Sequence, residues 1–139
     1  MITEDYVSFE VAKLLKEKGF DSDEVGGLGG FYSESCYESG HGITTQSGQE
    51  VGIVYDDLTN ADLEHDEYLR PTHQMAMKWL REVHNLHVWI GHSAYKVLSW
   101  YYEIHGISDG KVKHIGGIQC GSYEEVVEAA LKYSLENLI

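Results

Sequence analysis

The sequence predicts an α+β fold, and three observations carry that reading. Three segments space their apolar residues as amphipathic helices do, at about 8–18, 72–85 and 122–137. Between the last two helices, residues 86–120 alternate apolar and polar side chains with the period of half-buried strands. A single proline in 139 residues leaves these patterns almost uninterrupted. The expected architecture is one domain over residues 1–139. Its antiparallel sheet includes a three-stranded meander (about 86–120) packed against the helices.

Each element has a local cause. Ser8 is placed to cap the first helix, which would bury Val11, Leu14 and Leu15 and end at Gly19. Thr72, just after Arg70-Pro71, opens the second. Its buried face would use Met75, Ala76, Trp79, Leu80 and Val83. Ser122-Tyr123-Glu124-Glu125 reads as a capping box for the third, followed by Val126, Val127, Ala130, Leu131, Ser134 and Leu138 along one side.

The strands follow the same logic. Leu86, Val88 and Ile90 alternate with His87 and Trp89, and Leu98, Trp100, Tyr102 and Ile104 with Ser99, Tyr101 and Glu103. Ser108-Asp109-Gly110 is turn chemistry leading into Lys111 to Cys120, where Gly116-Gly117 predicts a bulge or a close backbone approach. Phe31 to Tyr37 and Glu50 to Tyr55 are candidate strands extending the sheet. The core is expected at Trp79, Leu80, Val83, Val88, Ile90, Leu98, Trp100, Val126, Val127 and Ala130.

Charge is distributed unevenly. Residues 1–70 hold sixteen Asp and Glu against four Lys and Arg, and the whole chain carries a formal charge of −13. Affinity for nucleic-acid polymers comes largely from Lys and Arg that displace condensed counterions, so this balance argues against a DNA or RNA partner. No apolar run approaches the roughly 20 residues of a membrane helix. The acidic start MITEDYVSFE does not look like a secretory signal, so a cytoplasmic location is expected. Cys36 and Cys120 are too few for a disulfide framework.

Three segments carry a resemblance: ITEDYVSFEVAKLLKEKGF at 2–20, PTHQMAMKWLREVHNLHVWI at 71–90 and SYEEVVEAALKYSLENLI at 122–139. They resemble small proteins of phages and prophages of gut bacteria, with framing helices and a variable segment, here the acidic and Gly/Tyr-rich residues 21–70. The resemblance implies a cytosolic accessory protein acting in the infected host cell, and it carries over no catalytic or ligand residues. By analogy of lifestyle, such proteins include sponges that antagonise bacterial defence by sequestering nucleotide signals of CBASS and Thoeris systems.

The residues themselves offer a binding loop and a cationic pair. Gly26 to Gln49 interleaves glycines with Tyr, Ser, Thr and His. Backbone amides at Gly29, Gly30 and Gly42 suit a phosphate, Tyr32 or Tyr37 suits a base, and His41 lies among them. The same composition also fits a solvated hairpin. Lys78 and Arg81, three apart on the polar face of the second helix, suit phosphate, or else form an ordinary solvated face. The eight histidines have no recognised zinc spacing, so neither a metal nor a cofactor is expected.

The expected function is non-catalytic binding and sequestration of a small nucleotide signal, of the cyclic oligonucleotide or cyclic ADP-ribose type. The alternatives are an acidic decoy that binds a host defence protein and a phosphodiesterase that degrades the signal. Large aromatics at Trp89, Trp100, Tyr101 and Tyr102 on both faces of the strands predict a homo-oligomer.

Overall fold

The protein is described by a computed structural model, which places residues 5–21, 31–33, 38–39, 42–43, 65–93, 99–108, 111–118 and 121–139. It is an α+β protein with three helices and small antiparallel sheets among the described residues. The chain divides into two compact units, Met1–Met75 and Ala76–Ile139.

In the first unit, helix α1 (Phe9–Glu17) starts where the Val11 amide donates to Ser8 Oγ at 3.2 Å. It ends as a left-handed cap. Gly19 takes φ +90°, its amide donates to the Lys16 carbonyl at 3.1 Å, and the Phe20 amide reaches back to Leu15 at 2.9 Å. Phe20 and Leu15, joined by that bond, are both fully buried. Val11, Ala12 and Leu15 form the buried face, while Leu14, expected there, is half-buried.

Strand β1 (Phe31–Ser33) pairs antiparallel with β4 (Glu67–Leu69), and β2 (Glu38–Ser39) with β3 (Gly42–Ile43). The β1–β4 pair is a sheet of its own, so the expectation that Phe31 to Tyr37 extends the larger sheet is corrected. Glu50 to Tyr55 lies outside the described residues. Phe9 meets the rings of Tyr32 and Tyr68 edge-on, at centroid distances of 6.0 and 5.5 Å. Lys16 Nζ donates to the Glu67 carbonyl at 2.9 Å and stands 5.1 Å above the Tyr68 ring. Arg70, itself buried, lies 4.4 Å over Tyr6 and 5.6 Å over Tyr32. Residues 5–7 are tied to 71–73 by Val7 N to Pro71 O (3.0 Å), His73 N to Asp5 O (2.9 Å) and a bridge between Tyr6 and Thr72.

Helix α2 (His73–His84) opens with the Met75 amide donating to Thr72 Oγ1 at 3.2 Å. In the second unit it buries Ala76, Met77, Trp79 and Leu80. Val83, expected in the core, is 48% exposed. The last turn instead sets the His84 ring against Trp79, at 4.6 Å. Asn85 then takes φ +54°, a left-handed conformation that asparagine tolerates better than branched residues, and the chain turns directly into β5 (Leu86–Ser93).

β5 pairs antiparallel with β6 (Ser99–Ser108), and β6 with β7 (Lys111–Ile118). Ser108 pairs with Lys111, so the connection is two residues, Asp109-Gly110, a sequence that favours tight hairpins. The β6–β7 register runs unbroken through Gly116 and Gly117, so no bulge forms there. Helix α3 (Tyr123–Asn137) begins with the Glu125 amide donating to Ser122 Oγ at 3.2 Å and packs on β5 and β6. Val126, Val127, Ala130, Leu131 and Leu135 are fully buried, and Ser134 joins them because its hydroxyl donates to the Ala130 carbonyl at 2.8 Å.

Opposite α3, Ile104 and Tyr102 are buried, while Val88, Ile90 and Trp100 are half-buried rather than core. Leu98 lies outside the described residues. At one end the Trp100 ring meets Tyr123 of α3 edge-on, at 5.2 Å. Among the described residues no helix is long and apolar enough to cross a membrane.

Two outcomes follow. Asn85→Gly should keep the α2–β5 turn at nearly unchanged stability, whereas Asn85→Val should cost about 1–2 kcal/mol by urea denaturation. Burial, and after it the neighbouring Tyr133, pushes the Tyr102 phenol above its usual 10.0. A raised folded-state pKa means that the stabilisation is complete below pH 10 and is lost as pH rises through the folded value. Tyr102→Phe should therefore lose less stability than the parent between neutral pH and strongly alkaline pH in parallel thermal melts.

Candidate functional site

The site follows from the two-residue period of the sheet. Register pairs Leu86 with Gly106, Val88 with Ile104 and Ile90 with Tyr102, and these positions share the face that α3 covers. The intervening pairs, His87 with His105, Trp89 with Glu103 and Gly91 with Tyr101, belong to the opposite face. There a shallow, open depression of about 490 Å³ is lined by His87, Trp89, Glu103 and His105.

Trp89 dominates this surface. It is 52% exposed, a large apolar side chain in water. Its indole meets the Tyr101 ring edge-on at 5.8 Å. Tyr101 can lie there because its cross-strand partner is glycine: a Cβ on Gly91 would run into the Tyr101 ring. The small residue thus seats one aromatic ring beside another.

The polar groups are oriented by short contacts. His105 Nε2 stands 3.1 Å from Glu103 Oε2. An ionised carboxylate only accepts, so in this contact Nε2 is the donor. The side chains are 47% and 30% exposed, so water screens the pair and it contributes little to stability. Its effect is to fix ring and carboxylate orientation beside Trp89. On the adjacent strand, His87 Nε2 lies 3.4 Å from Asn85 Oδ1, the side chain of the residue that makes the α2–β5 turn. Among the described side chains lining it, the depression offers the Trp89 indole, the Glu103 carboxylate and the imidazoles of His87 and His105. Among the described residues no three His, Cys, Asp or Glu side chains gather as a metal site.

Gly29, Gly30, Tyr37 and His41 lie outside the described residues. Gly42 opens β3 opposite Ser39. Tyr32 is in β1 of the first unit, only 8% exposed, with its hydroxyl donating to the Val7 carbonyl at 2.5 Å. It is therefore a packing residue of that unit, with little surface offered to solvent. Lys78 and Arg81 are in the second unit, both exposed on α2 as their spacing predicts.

Sequence reasoning missed His87, Trp89, Glu103 and His105 as a group. The signal was the alternation itself, because a strand whose outward position holds tryptophan exposes an aromatic ring. No known protein family matches the chain, and neither does any curated protein or any solved structure.

Gly91→Ala tests the arrangement. The added methyl should displace Tyr101, break its contact with Trp89 and cost about 1–3 kcal/mol. Urea denaturation and a changed tryptophan emission spectrum would report both effects.

Proposed function

We propose that the protein binds and sequesters a small nucleotide signal without catalysis, its base stacked on Trp89. The single observation that supports this most is the exposed indole in a depression shared with His87, Glu103 and His105. Stacking of a base on an aromatic side chain contributes about 1–3 kcal/mol. The formal charge of −13 supports a compact ligand over a polymer, since a long phosphate backbone would be repelled. Lys78 and Arg81 keep their proposed role toward phosphate, being exposed on α2. The phage-protein resemblance of residues 2–20, 71–90 and 122–139 supplies the setting, an accessory protein that lowers the level of a defence signal. Toward the same class of ligand, Gly29, Gly30 and Gly42 remain proposed amide donors, Tyr37 a proposed stacking residue and His41 a proposed contact.

A second reading, phosphodiester cleavage, is favoured by one specific observation, the Glu103–His105 pair at 3.1 Å. A carboxylate that orients an imidazole is the arrangement of a general base. One experiment separates the two readings. The purified protein is incubated with cyclic dinucleotides and cyclic ADP-ribose isomers, then heated, and the released ligand is chromatographed. Sequestration returns intact ligand, and cleavage returns products. Absence of uptake across the panel would sink both and favour an acidic decoy.

For the sequestering reading, ligand at 100 times its dissociation constant should add about 2.7 kcal/mol of stability. Trp89→Ala should weaken binding by about tenfold or more, at the scale of one lost stacking contact. Isothermal titration of the two proteins checks this. Trp89 is also the side chain a homo-oligomer would cover, so light scattering of Trp89→Ala beside the parent shows whether stacking and self-association share one surface.

A further inference from the structure

Register makes Trp89 and Glu103 direct cross-strand partners on the open face, and the next position in the same row, on β7, is Gly116. The row therefore reads indole, carboxylate, glycine. Trp89 and Glu103 line one depression, so a planar ring stacked on the indole would meet the carboxylate at its edge, and Gly116 adds no side chain. His105 Nε2, 3.1 Å from Oε2, holds that carboxylate in place as a donor. Ionised, the carboxylate presents only acceptors.

Among the common bases the match is selective. Guanine carries two adjacent donors on its Watson–Crick edge, N1–H and the N2 amino group, and these suit the two oxygens of a carboxylate. Adenine sets the N1 lone pair beside its N6 amino group, and cytosine sets N3 beside N4. Either would turn a lone pair toward a carboxylate oxygen. Uracil has one donor between two carbonyls. Sites built around a hydrogen-bonding edge reject analogues that lack it far more strongly than apolar pockets reject a change of size.

We propose that this surface selects guanine, with the base stacked on Trp89 and Glu103 accepting from N1–H and N2–H. The proposal rests on the nucleotide-binding reading above and narrows it to guanine-bearing cyclic nucleotides, setting aside adenine-only and ADP-ribose-derived signals. Glu103 is the specificity-determining residue, and His105 positions it.

The test uses the full chain with cyclic di-GMP, cyclic di-AMP and cyclic ADP-ribose as probes in isothermal titration. Cyclic di-GMP should bind about tenfold to a hundredfold more tightly than cyclic di-AMP, the scale of hydrogen bonds to a charged acceptor. Glu103→Gln, which turns an amide donor toward a guanine donor, should erase most of that preference. Circular dichroism should show the variant folded, since the Glu103 side chain is partly exposed. Equal binding of both dinucleotides with loss in Trp89→Ala would overturn guanine selection and leave stacking intact. A guanine preference that survives Glu103→Gln would overturn the role of Glu103. Binding of cyclic ADP-ribose alone would overturn the guanine inference but not sequestration, and no binding by any probe would remove both.

Discussion

The phase of the strand that follows Asn85 governs the second unit. With φ at +54°, Asn85 ends α2 and delivers Leu86 rather than His87 to the side that α3 covers. Because side chains alternate at every residue, a slip of one position would send His87 and Trp89 against α3 and put Val88 and Ile90 in water. Everything on the open face inherits that choice, from the indole to the Glu103–His105 pair. The same asparagine stands 3.4 Å from His87 through its side-chain oxygen, so the residue that sets the phase also touches the surface that the phase creates.

Much of the helical framework was legible because it depends on local rules. Ser8, Thr72 and Ser122 each accept a bond from an amide three residues on, and Gly19 ends α1 with a positive φ. The apolar period located Trp79, Leu80, Val126, Val127 and Ala130 in the core. Val83 was not legible: it keeps the helical spacing of Trp79 and Leu80 inside α2, yet its side chain is exposed. At Gly116-Gly117 the unbroken register excludes the bulge, one of the two expectations there. Glycine in a strand marks either a bulge or a missing side chain, and only the cross-strand register separates the two.

The candidate site was harder to read, for a physical reason. A binding loop is suggested by composition, whereas a binding face on a sheet arises from pairing between distant residues. Trp89 and Glu103 are fourteen positions apart, and nothing in either strand alone makes them neighbours. Tyr32 shows the converse. Its setting among glycine and serine residues suggested availability, yet Phe9, Arg70 and the Val7 carbonyl all contact it inside the first unit. An aromatic ring beside a cation in sequence-poor context can serve packing as readily as recognition.

The pairing pattern also separates the two units in time. In the second, Ser108 pairs with Lys111 and Leu86 with Gly106, so partners are close along the chain. In the first, Phe31 pairs with Leu69 and the Val7 amide with the Pro71 carbonyl. Contacts of long separation carry a loop-closure entropy before any bond forms, and topologies rich in them fold slowly. During synthesis, moreover, the β1–β4 pair and the bonds from residues 5–7 to 71–73 wait until residues 67–73 have emerged. The two halves thus obey different kinetics: the helix α1 end of the protein is made first and completed late, and the sheet that carries Trp89 assembles from neighbours.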